Sequence, residues 1–164
     1  MTHMMKSVLF SLACVSGMTM FMPSTVAEDI DHVAQLIQVN ACQGCDLSGA
    51  DLSGLVLINA NLRGANLQGA NLQNTYLLLS DLAEANLEEA NLTAAYLYGA
   101  NLQGTALAGA SLTQATLRDT RLQGSTLCDA EFSGADFRDA VLEINPDEAC
   151  LERLRAENLS LIHI

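Results

Sequence analysis

Cys42 and Cys45 stand with two residues between them in "CQGC", a spacing known from redox-active pairs. A redox pair needs its first sulfur where a thiolate is stabilised, and no βαβ pattern or helix start lies there. Zinc on His32, Cys42 and Cys45 lacks a fourth ligand at any standard spacing. A structural disulfide suits the pair better. Carboxylates cluster in "DLAEANLEEA", where Asp81, Glu84, Glu88 and Glu89 offer oxygens for calcium or for acid–base work. Such a run is ordinarily a solvated surface. His3, His32 and His163 lie too far apart in the chain to assemble around one nucleophile. Neither catalysis, a cofactor nor a bound metal is expected.

The ends of the chain show where these residues would operate. Residues 1–27 carry Lys6, the uncharged run "SVLFSLACVSGMTMFM", Pro23 and the small-residue ending "STVA", the pattern of an export signal cleaved after Ala27. That run is shorter than the roughly 20 residues a membrane span needs, which disfavours an uncleaved anchor. A lipoprotein signal through Cys14 fits less well, because Ser11 and Leu12 stand in the wrong order. Removing residues 1–27 leaves Cys42, Cys45, Cys128 and Cys150, an even number suited to an oxidising compartment. The formal net charge of −12 leaves no basic patch for nucleic acid.

The elements that must position everything come from a repeat. Residues 45–144 divide into five-residue units without insertion. The third residue is leucine from Leu47 through Leu127, then Phe132, Phe137 and Leu142, and the first is small everywhere except at Leu55. A leucine every fifth residue steps about 140° around a helix, so no helical face collects the set. A continuous strand fails too, because five is odd and successive leucines would point to opposite sides. The chain must turn within every unit. Four corners close a square, residues twenty apart stack at roughly 4.8 Å, and five coils form a rod about 24 Å long.

The units "ADLSG", "ANLRG", "ANLQG" and "ANLTA" resemble the pentapeptide-repeat family, whose pattern is A(D/N)Lxx. The resemblance implies an all-β solenoid, a right-handed quadrilateral β-helix. The "CQGCDLSGADLSG" opening of the repeat is further similar to exported members, in the periplasm or the thylakoid lumen. No shared functional motif is carried over with the family.

An open stack would leave unpaired backbone groups at both ends, so helical caps are expected. Within residues 28–44, Ile30, Val33, Ala34 and Ile37 have helical spacing over about residues 29–38. Within residues 145–164, Asn145, Pro146 and Glu148 read as a helix start, with Leu151 and Leu154 inward and the apolar tail "LSLIHI" beyond. Cys45 belongs to coil one and Cys128 to coil five, about 19 Å apart at the strand spacing, whereas a disulfide needs Cα atoms within about 7 Å. Cys42 with Cys45, and Cys128 with Cys150, are the favoured pairs.

Stacking units twenty apart separates one side of the square from the other three. Its units are "LVLIN", "TYLLL", "AYLYG", "ATLRD" and "ADFRD". Val56, Ile58, Tyr76, Leu78, Leu79, Tyr96 and Tyr98 point outward there, over coils one to three, while the other sides read Asn, Gln, Ser, Asp, Glu and Gly. Farther along the side Arg118 stacks with Arg138 and Asp119 with Asp139, and these charges should compensate locally.

An apolar strip of a few hundred Å² usually marks contact. Its occupant is the chain's own terminal segments, a second copy, or another protein. The expected function is a non-enzymatic exported structural or interaction module. The alternative is a DNA mimic regulating a type II topoisomerase, a role the resemblance brings from cytoplasmic members. A duplex of this length carries about 14 charges at one per roughly 1.7 Å, whereas residues 45–144 hold 12 acidic and four basic residues spread over all sides.

Overall fold

The computed structural model describes residues 31–142. It opens with α1, His32–Val39. The Asp31 carboxylate accepts from the Ala34 amide at 3.1 Å and so fixes the helix start. Asn40, at φ 54°, ends it by donating its amide to the Leu36 carbonyl. The inward residue is Leu36, fully buried, with Val33 packed on the core beside it. Ile37, expected inward, is 59% exposed. Leu36 takes the side of α1 that meets the first coil, and Ile37, about 100° further round the helix, faces solvent. Ile30 lies outside the described residues.

Beyond α1 every fifth residue bridges in parallel to the residue twenty further on, from Ala41 with Asn61 to Arg121 with Val141. The third-position leucines and phenylalanines are buried, and small first-position residues such as Ala65, Ala70 and Ala95 fill the space between them. Phe132 and Phe137 meet edge to face at 5.3 Å, so the larger rings share one end of the interior. Leu55, the large first residue, is only partly buried against this core.

The winding starts one unit earlier than the sequence pattern suggested. Ala41 bridges Asn61, and the Cys42 amide donates to the Asn61 carbonyl at 2.8 Å. Residues 40–44 therefore form a unit, and Cys42, fully buried, occupies a leucine slot. Residues 143–164, with the expected C-terminal helix and tail, and the expected export signal lie outside the described residues.

The hydrogen bonds explain why five residues suffice. In the unit 65–69 with its neighbours, the first amide closes the preceding turn, from Ala65 to the Leu62 carbonyl. The second reaches back one coil, from Asn66 to Cys45, and the third and fifth reach forward, from Leu67 to Asn86 and from Gly69 to Glu88. The fourth, of Gln68, donates to the Asn66 side-chain oxygen at 3.3 Å. All five donors of such a unit are thus bonded, which a stack of single-residue bridges needs to persist.

Each corner places its fifth residue at positive φ, as a type II turn requires. Glycine takes that place in about half of the units, and Asn74, Leu79, Glu84 and Asp119 are among the residues that take it elsewhere. Where the first residue is Ser or Thr, its buried hydroxyl donates to a nearby carbonyl, as Thr75 does to Leu52 at 2.8 Å and Ser80 to Leu77 at 2.8 Å.

A candidate protein-interaction surface

The second position decides what each wall of the square presents. An Asn or Asp there accepts from the fourth amide of its own unit, as Asp46, Asp51, Asn71, Asp81 and Asn91 do. Its amide also reaches the residue one coil before: Asn66 donates to Asp46, Asn71 to Asp51 and Asn101 to Asp81, each at 3.0 Å. Polar ladders therefore run down the walls, and they hold the turns as well as the coils.

On one wall the ladder is replaced. Val56, Tyr76 and Tyr96 occupy the second position in three successive coils and bridge one another through their backbones. None has an acceptor that reaches the fourth amide, so the turns at Ile58, Leu78 and Tyr98 lack the side-chain bond that the other walls make in these same three coils. The Tyr76 and Tyr96 rings stack instead, with centroids 4.7 Å apart and planes within 6°.

The rest of this wall is apolar at the same level. Val56 and Leu79 are 67% and 57% exposed, and Ile58, Tyr76, Tyr96 and Tyr98 about two-fifths exposed. Leu78 is half-buried and outside the core. Leu79 holds φ at 57°, a conformation that costs a side-chain-bearing residue about 1 kcal/mol or more. Its side chain extends over Gly99, where an added Cβ would stand 2.6 Å from Leu79 Cδ2. A methyl at position 99 would therefore have to displace the exposed end of the Leu79 side chain.

The apolar surface ends at coil four. There Asp119 accepts from the Tyr98 phenol and raises its pKa. Arg138 clasps Asp136 in its own unit, with Nη2 2.5 Å and Nε 2.8 Å from the carboxylate, and holds that carboxyl down at about 2. Local compensation was expected from the adjacent Asp119 and Asp139, whereas Arg138 pairs with Asp136, two residues before it. Arg118 Nε is buried and has no partner among the described residues.

The other candidate sites lie apart from this wall. Cys42 and Cys45 form a disulfide with Cα atoms 5.3 Å apart, and this excludes a dithiol zinc site with His32. His32 Nδ1 donates to the Asp46 carbonyl at 3.0 Å, tying α1 to the first coil. Cys128 is disulfide-bonded as well, and Cys150, its expected partner, lies outside the described residues. The acidic cluster divides at the corner before Ala85. Glu84 pairs with Arg63 at 2.5 Å, Asp81 accepts from Asn101, and Glu88 and Glu89 belong to the next wall. No group of His, Cys, Asp and Glu among the described residues is arranged to hold a metal ion. No helix among them is long and apolar enough to cross a membrane.

Two features of the structure escaped the sequence, one on this wall and one at the start of the winding. Nothing in "TYLLL" states that Leu79 reaches over Gly99, although the two stand twenty residues apart. The Cys42 slot escaped too, because a cysteine stands where the repeat has leucine, and the only signal was that "NACQG" ends in glycine and precedes Cys45 in register.

The description "Pentapeptide repeats" matches residues 42–77, 80–114 and 107–143, more than half of the chain. Among curated proteins none matches the chain. Solved structures that share the winding include two pentapeptide repeat proteins. One is the pentapeptide repeat protein Rfr23 from the cyanobacterium Cyanothece 51142, 27% identical over 68% of this chain and 97% of its own, with a TM-score of 0.52. The other is a pentapeptide repeat protein from the Arabidopsis thaliana thylakoid lumen, 28% identical over 68% of this chain and 75% of its own, with a TM-score of 0.52. HetL from Nostoc sp. strain PCC 7120 is 29% identical over 65% of this chain and 54% of its own, with a TM-score of 0.45. Register, turn chemistry and these likenesses agree: the chain is a right-handed β-helical solenoid and belongs to the pentapeptide repeat family.

Proposed function

We propose that this protein is an exported, non-enzymatic interaction module, a rod of five coils with a helix at either end, whose contact surface is the apolar wall of coils one to three. One observation carries the reading. In three successive coils that wall gives up the side-chain bond to the turn, and in one it sets a leucine at positive φ, to place Val56, Tyr76, Leu79 and Tyr96 in solvent. Local choices that lower folding stability while exposing apolar groups are characteristic of functional surfaces.

Export has separate support. A disulfide in the first lap and a disulfide-bonded Cys128 suit an oxidising compartment. The residues before α1 have the composition of an export signal, and one structural relative comes from a thylakoid lumen. Periplasm and lumen are both compatible with these features.

The topoisomerase reading has less support. A duplex mimic needs columns of carboxylates at phosphate density, yet the second positions of the polar walls are mostly neutral, with Asp46, Asp51 and Asp81 each the one Asp of its wall, and the remaining wall carries Val56, Tyr76 and Tyr96 there.

Site-specific photo-crosslinking in producing cells tests the proposal. A photoreactive phenylalanine in place of Tyr98 should give discrete protein adducts, and one in place of Gln103, on the next wall, should give none. Equal adducts from both positions, or none from Tyr98, would contradict it.

A further inference from the structure

Resting on that reading, we infer that the occupant of the apolar wall is a second copy of this chain, bound face to face with the two rods antiparallel. The exposed fractions of the wall's apolar residues amount to roughly 500 Å² per copy, which doubles to about the 1,000 Å² that a specific interface should exceed. The wall is also matched to itself. Its ladders rise at the single pitch set by the twenty-residue bridges, so two copies keep register at every coil. A two-fold axis lying in the wall across coil two makes the contact isologous and closes it at two copies.

The charges choose the orientation. Parallel rods would press Arg118, Asp119, Asp136, Arg138 and Asp139 of both copies into the contact, and desolvating such groups costs several kcal/mol per ion. Antiparallel rods overlap coils one to three alone. Coil one then faces coil three, Ile58 of one copy meets Tyr98 of the other, Leu78 meets Leu78, and the charged coils overhang in water.

The tyrosines make the test direct, because the chain has three and all stand on this wall. Sedimentation equilibrium of the purified protein should give twice the chain mass at high concentration. The Tyr76→Asn/Tyr96→Asn variant should remain at one chain mass with an unchanged circular dichroism spectrum, since asparagine is an ordinary second-position residue of this fold. A protein carrying Ile58→Cys, mixed with one carrying Tyr98→Cys, should form a mixed disulfide. Within one chain, or between parallel rods in register, coils one and three are about 10 Å apart and beyond a disulfide's reach.

Other results would overturn the inference in distinguishable ways. A monomeric wild type whose tyrosines are nitrated by tetranitromethane at the rate their two-fifths exposure sets excludes the second copy and leaves the wall open to a different protein. A monomeric wild type whose tyrosines are protected shows the wall covered by the chain's own residues, and removes the proposed contact surface too. A dimer that yields no mixed disulfide overturns the antiparallel arrangement.

Discussion

Tyr76 and Tyr96, twenty residues apart in sequence, stack with ring centroids 4.7 Å apart and planes within 6°. One full turn of the solenoid sets that pairing, and the same turn places Leu79 over Gly99 and Asn71 under Asn91. The surface chemistry of each wall is therefore a column read at intervals of twenty.

Leu79 and Gly99 should be energetically coupled. Gly99→Ala places a methyl against Leu79 Cδ2 at a residue with φ +65°, so it should cost about 1–2 kcal/mol in denaturant unfolding. Leu79→Gly relieves one left-handed leucine and should be neutral or stabilising. In the double variant the steric part of the Gly99→Ala cost should disappear, a coupling that a double-mutant cycle reads directly.

The buried column sets the folding energy. Leu77→Ala in coil two, at a fully buried position, should cost about 2–5 kcal/mol in the same measurement, because rigid neighbouring coils cannot collapse onto the cavity. The outward Leu78→Ala change should cost less than 1.5 kcal/mol.

The Cys42–Cys45 bond closes a very short loop at the start of the winding, so its chain-entropy contribution is only about 2 kcal/mol. Replacing both cysteines with alanine should speed amide exchange at Cys42, Gly44 and Leu47, whose donors bond to the following coil, and leave coil three unchanged. Uniform loss of protection would show that the bond supports the whole rod.

Asp136 provides a pH signature. Its carboxyl is held at about 2, against an ordinary 3.8, chiefly by the hydrogen bond from Arg138. A depressed carboxyl contributes stability above its unfolded value, and that contribution is lost as pH falls from about 4 toward 2. Arg138→Gln should raise the Asp136 midpoint in an NMR titration and flatten the acid limb of stability over that window. Because the Arg138 side chain is largely exposed, the effect should shrink with added salt.

Much of this was legible in the sequence, for a physical reason. A third-position leucine in an uninterrupted five-residue register admits few windings, and the outward run of Val56, Ile58, Tyr76 and Tyr96 follows from the register alone. The phase of α1 was not legible, because Leu36 and Ile37 are equally apolar and only packing against the first lap selects Leu36. The early start at residues 40–44 was obscured by a cysteine in a leucine slot. The turn-closing role of the second-position amide requires a geometry that residue type only permits, as does the reach of Leu79 across a coil.

The central claim is that the apolar wall serves contact and not folding, and the most direct measurement takes both quantities from the Tyr76→Asn/Tyr96→Asn variant. Each asparagine restores a turn bond worth about 1 kcal/mol and removes a share of a ring stack of similar size. Unfolding free energy, compared in the monomeric state, should therefore stay within about 1 kcal/mol of wild type while crosslinked complex from Tyr98 disappears. Complex that persists, or stability that falls by several kcal/mol together with the complex, would contradict the account.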